Sequence, residues 1–126
     1  MLAIKTQLSA INNISTYIFD EIDAGISGQT AKVVAEKFAK IAQNTQIIAV
    51  SHLAQIAGMA DGQFLIEKKE REGKTTTEVL LLSQQGRLRE LVRLLGGDEG
   101  SEYAEKHALE LIDTAKNYKN ILSQNQ

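Results

Sequence analysis

The 126-residue sequence has no cysteine, no proline and no tryptophan, and aromatic residues make up only 5% of it. Without cysteine there can be neither a disulfide framework nor a thiolate-bound metal centre, and a reducing cytosolic setting is expected. The lack of proline suits a chain built mainly of regular elements. Charge of one sign is also missing. Fourteen Lys and Arg against sixteen Asp and Glu give a net charge of −2, so the chain as a whole carries no electrostatic footprint for nucleic acid. No apolar run approaches the roughly 20 residues a membrane-spanning helix needs. The segment Met1–Lys5 is apolar but has neither a basic leader nor a small-residue cleavage site, so a secretory signal is not expected.

What is present is ordinary for one soluble globular domain: 43% hydrophobic and 24% charged residues,. The opening is unusual. Met1, Leu2, Ile4, Leu8 and Ile11 recur at helical spacing with no capping residue or strand before them, so a helix cut from something longer is expected there,.

Further along, Thr16–Phe19 is a short apolar, partly β-branched run ending in Asp20, and it reads as a buried strand,. Residues 23–28 form a polar turn containing two glycines,. Ala31, Val34, Ala35, Phe38, Ile41 and Ala42 then follow helical spacing, with Ser27 as the N-cap,. Gln46–Val50 reads as a second buried strand, closing on Ser51 and His52. Strand, helix, strand is a βαβ unit, whose crossover makes the strands parallel. A short helix over Leu53–Ala60 is expected next. A hairpin follows, of Phe64–Glu70 and Thr75–Leu82 joined around Gly73. The spacing of Leu88, Leu91, Val92 and Leu95 predicts a helix over Arg87–Leu95 that stops at Gly96-Gly97,. A last helix is expected from Ser101 to about Tyr118, with residues 119–126, rich in Asn and Gln, as a disordered tail,.

In a parallel βαβ unit, ligands bind beyond the carboxyl ends of the strands. Asp20 and Glu21 lie at the end of the first predicted strand and His52 at the end of the second, so neighbouring strands would bring three polar titratable groups to one sheet edge. Two adjacent carboxylates point in different directions, so one can serve a hard cation while the other faces substrate. Mg²⁺ takes one or two protein carboxylates together with waters and substrate phosphates. A carboxylate beside a water can accept its proton during attack on a phosphoryl group. Taken singly, each residue has a plainer explanation. Asp20 or Asp23 can simply hold a turn, Glu21 can be a solvated charge, and a lone His after a strand is more often structural. Their common order is what carries weight. A receiver-type signalling domain also places an Asp after a strand, but it needs an earlier acidic pair and a lysine closing a later parallel strand, and here a hairpin stands instead.

Thr-Tyr-Ile-Phe-Asp-Glu at 16–21 resembles the Walker B segment of ABC-type ATPases, Asp-Ala-Gly-Ile-Ser at 23–27 resembles the D-loop, and Ile-Ile-Ala-Val-Ser-His at 47–52 resembles the strand ending in the switch histidine. Within that superfamily, residues 20–28 and Ser-His-Leu-Ala-Gln-Ile-Ala at 51–57 are similar to the SMC-related branch. The stretch Arg87–Gly97 and the helix after it are similar to the C-terminal end of the RecN family of bacterial DNA repair ATPases. The resemblance spans roughly Met1–Tyr118. It implies an α/β fold, the C-terminal part of a P-loop NTPase head of ABC/SMC type, with residues 1–118 as its C-terminal lobe.

The resemblance further implies ATP and Mg²⁺ as cofactors, with Asp20 helping to hold the metal and Glu21 polarising the attacking water. His52 would contact the γ-phosphate, and Asp23 would lie at the interface of two heads. Gln55 matches the family pattern without an assigned role. A second head in a homodimer, DNA and the N-terminal half of the head are the implied partners, in bacterial cytoplasm at the nucleoid. Another SMC-type chromosome-architecture ATPase is the alternative. The phosphate-binding pattern of a Gly-rich loop closing on Lys and Ser or Thr is absent, as is the Ser-Gly-Gly signature,. This polypeptide by itself is therefore expected neither to bind ATP tightly nor to hydrolyse it.

Overall fold

The structure, a computed structural model, describes residues 15–98 and 100–125; the helix expected from Met1 lies outside the described residues. Strand β1 (Thr16–Phe19) leads through a turn to helix α1 (Gly28–Ile41), strand β2 (Gln46–Ala49) and the short helix α2 (Ala54–Met59). Strands β3 (Phe64–Arg71) and β4 (Lys74–Leu81) then form a hairpin, followed by helices α3 (Gln84–Leu94) and α4 (Glu102–Gln124). Strands β1 and β2 pair in parallel with Thr16 opposite Gln46 and Phe19 opposite Ala49. The expected βαβ unit is present, as are the antiparallel hairpin and the two closing helices.

Helix α1 faces β1 with the small residues Ala31 and Ala35, which let the chains approach, and with Phe38. The rings of Phe19 and Phe38 stand 4.8 Å apart at 34°, an offset geometry favourable for aromatic pairs. Ile56 of α2 closes this cluster, and Tyr17 and Ile47 pack against it. Ala54, two residues earlier at the start of α2, belongs to a second cluster with Leu91 of α3 and Ala108 of α4. Helix α2 is thus the wedge between two small cores.

The two strands were expected to be buried on both faces, and this is corrected. Tyr17, Phe19 and Ile47 turn towards the helices, whereas Ile18 on the opposite face is 71% exposed and Ile48 beside it 47%. Side chains alternate across a strand, and among the described residues the helices cover one face of this two-stranded sheet.

Two helix boundaries also differ from the apolar spacing. Helix α3 begins at Gln84, three residues before the first expected position, because Ser83 caps it: its Oγ accepts from Gly86 N–H at 3.1 Å,. Gln84 and Gln85 are polar and exposed, so periodicity alone begins too late. Helix α4 does not stop at Tyr118 but runs to Gln124. The extra turns carry their own supports, with Asn117 Nδ2 donating to Asp113 one turn back and Lys119 paired with Asp61 across the helix packing at 2.6 Å. Residues 119–124 are helical rather than a disordered tail.

Candidate active site

The parallel register fixes the site. Phe19 and Ala49 end their strands side by side, and Val50 N–H donates to Phe19 C=O at 2.9 Å. The loops that follow, 20–27 and 50–53, therefore leave the same edge of the sheet. Asp20 and Glu21 stand exposed at the start of the first loop. Glu21 has φ of 50°, a left-handed conformation that costs an L-residue with a long side chain roughly 1–2 kcal/mol. Such strain persists where the surroundings over-determine it, and it collects at functional turns. Gly25, two residues past Asp23, takes φ of 77° and completes the reversal,.

Asp23 joins the two loops. It is 4% exposed, the buried charged residue of the core region, and its Oδ2 accepts from Ser51 Oγ and from His52 N–H, each at 2.7 Å. His52 Nδ1 lies 3.0 Å from the same oxygen. Burial pushes the Asp23 carboxyl up, but the Ser51 hydroxyl, the His52 and Asp23 backbone N–H groups and the charge of a protonated His52 outweigh it and hold the group below the ordinary aspartate value,. Ser51 Oγ accepts in turn from Leu53 N–H at 3.1 Å, tying the network to the start of α2.

Within its own chain the Asp23 carboxylate is buried and bonded to the loop after β2. His52 does face outward, its side chain 75% exposed. Gln55 lies on α2 with its amide next to Gly28, at the first turn of α1; a Cβ on Gly28 would come within 3.3 Å of Gln55 Nε2. Sequence reasoning gave Ser51 no role, although a hydroxyl directly before the histidine is suited to bond an acidic loop residue across two parallel strands.

No group of three His, Cys, Asp or Glu able to hold a metal occurs among the described residues. That arrangement does not suit an ion held wholly by protein. One exposed carboxylate at a strand end does fit Mg²⁺, which keeps waters and phosphate oxygens in most of its positions.

No family model matches the chain. It is 42% identical over 119 residues to the DNA repair protein RecN of Halalkalibacterium halodurans, a match covering 94% of this chain and 21% of that protein. RecN of Bacillus subtilis is 40% identical over 119 residues, with the same two shares. RecN of Deinococcus radiodurans is 43% identical over 112 residues, 89% of this chain and 19% of that one. The chain is the C-terminal part of a RecN-type protein. It spans about a fifth of the length of the curated RecN relatives it matches. A solved structure described as "Structural biochemistry of ATP-driven dimerization and DNA stimulated activation of SMC ATPases" superimposes with a TM-score of 0.59 at 22% identity, covering 79% of this chain and 58% of that one. At that identity the likeness is one of fold, and the RecN-type chain has the fold of an SMC ATPase head. The alternative of another SMC-family head is not favoured by relatives of about 40% identity that bear the RecN name.

Proposed function

We propose that the full-length RecN-type protein hydrolyses ATP at the interface of two heads during repair of DNA double-strand breaks and recombination, and that this chain supplies the hydrolytic half of the nucleotide site. The supporting observation is the placement of Asp20, Glu21 and His52 on two loops that leave one sheet edge and are joined through Asp23. The phosphates are gripped by residues outside this chain, since no Gly-rich phosphate loop occurs in it,. Gly73-Lys74-Thr75 is not such a loop, because it forms the tip of the β3–β4 hairpin.

Mg²⁺, when bound, would supply positive charge that neutralises the charge developing on the phosphates. Asp20 is the carboxylate that would help hold it, and Glu21 is placed to accept the proton of a water attacking the terminal phosphoryl group. His52 presents its ring to the nucleotide from the second loop. A second head in a homodimer completes the site, DNA is the macromolecular ligand of the whole protein, and the setting is the bacterial cytoplasm at the nucleoid. The isolated chain neither holds ATP tightly nor turns it over.

Glu21→Gln in the full-length protein tests this. Gln keeps the length and the strained backbone but cannot take the proton, so hydrolysis is expected to fall about 10²–10⁴-fold while ATP-dependent pairing of heads and folding stability are retained. An unchanged steady-state hydrolysis rate would remove Glu21 from the chemistry.

A further inference from the structure

We propose that Asp23 is a positioning residue for His52, fixing the path of the loop after β2 and deciding which ring nitrogen the imidazole turns outward. The inference rests on the nucleotide-site reading for its consequence in turnover, but its geometry stands on the network itself. One carboxylate oxygen, Asp23 Oδ2, receives the Ser51 hydroxyl at 2.7 Å and the His52 main-chain N–H at 2.7 Å, and His52 Nδ1 lies 3.0 Å away. The first two contacts set the backbone of residues 51 and 52. The third sets the ring. A bare Nδ1 would stand 3.0 Å from the anionic oxygen of a carboxylate that is itself 4% exposed, where charge repulsion is less screened than in open water. Nδ1 therefore carries a proton, and Nε2 is the nitrogen left to meet solvent or nucleotide. This holds for the neutral and the doubly protonated ring alike. A histidine whose side chain is 75% exposed would otherwise sample several rotamers and both tautomers, and the partner of one ring nitrogen sets the state of the other.

The loop carrying Asp23 also begins with Asp20 and Glu21, so the same carboxylate links the acidic pair after β1 to the histidine after β2. Asp23 touches no reacting group on this reading. It acts through His52, and its removal should impair turnover rather than nucleotide capture.

The test uses the full-length protein with ¹⁵N-labelled histidine, the His52 ring signals being assigned by their loss in His52→Gln. At a pH high enough for a neutral ring, wild-type His52 is expected to be protonated at Nδ1, and Asp23→Asn to shift the proton towards Nε2. In steady-state ATP hydrolysis, Asp23→Asn is expected to lower kcat roughly tenfold to a hundredfold, the range typical for loss of a residue that orients a histidine, with KM changing little. A wild-type neutral ring protonated at Nε2 and bare at Nδ1 overturns the proposal, and that reading is taken from the wild-type protein, with His52→Gln serving only to assign the signals. Wild-type turnover in Asp23→Asn, alongside lost turnover in His52→Ala, also overturns it while leaving the nucleotide-site reading intact. Full turnover in His52→Ala would instead sink the site reading, and the ring spectrum would still decide the tautomer.

Discussion

At the scale of single residues, Asp23 shows how a buried charge is kept. Taking a carboxylate out of water costs several kcal/mol unless donors replace the lost hydration, and here the hydroxyl of Ser51 and the N–H of His52 do so. Because its folded-state pKa lies below the ordinary value of 3.8, the group contributes stability that is fully present above that value. The contribution is lost as pH falls through the lower, folded-state pKa. The unfolding midpoint of the wild-type chain should therefore drop more steeply below about pH 4 than that of Asp23→Asn, which has no proton to take up. Parallel acid-limb slopes in denaturant titrations of the two would show that Asp23 is not held below its ordinary value. The sequence made Asp20, Glu21 and His52 legible because strand ends are where parallel sheets do chemistry. It did not announce the burial of Asp23, since burial of one loop side chain depends on a partner 28 positions away that no local pattern reveals.

At the scale of elements, the α3–α4 junction is the best case of local chemistry dictating structure. Gly96 takes φ of 77° directly after the α3 C-cap. Its N–H donates to Arg93 C=O and the Gly97 N–H to Val92 C=O, each at 3.0 Å. Those paired bonds define a Schellman ending, which is why Gly96-Gly97 marked the stop in the sequence. Gly97 has a further reason to be glycine that only the packing reveals: a Cβ there would collide with Ala104 Cβ of α4 and press on Val92. Gly97→Ala is expected to cost about 1–3 kcal/mol, the usual penalty of overpacking, by forcing α4 away from α3. A denaturant midpoint within error of wild type would mean that the junction yields freely. The hairpin tip obeys the same local logic, with Glu72 and Gly73 both at positive φ, 52° and 73°, as the tightest two-residue turn requires. Helix starts were less legible, because Ser83 and the polar residues after it carry a cap but no apolar period,.

For the whole molecule, the two small cores on either side of α2 leave apolar surface that no other part of the described residues covers. Ile18 and Ile48 lie opposite each other on the open face of the sheet, and Phe64, Ile66, Val79 and Leu81 are all more than half exposed on the hairpin. Phe64 faces Leu81 and Ile66 faces Val79 in the ladder, so these four share one surface near the hairpin base. The strand sequences read as buried because strands of a parallel sheet are commonly covered on both faces, and we propose that residues of the full-length RecN-type protein beyond this chain, which spans about a fifth of its RecN relatives, cover this face. That account makes a prediction in which context decides the outcome. Ile18→Thr and Ile48→Thr together should change the stability of the isolated chain by only about 0.5 kcal/mol per site, as surface substitutions do. In the full-length protein the same pair should cost roughly 1–3 kcal/mol per buried hydroxyl left without a partner. Denaturant unfolding of both proteins with and without the substitutions gives the comparison. An equal, small effect in both would mean that the sheet's open face stays in water in the whole protein, and that the head is completed against some other surface of this chain.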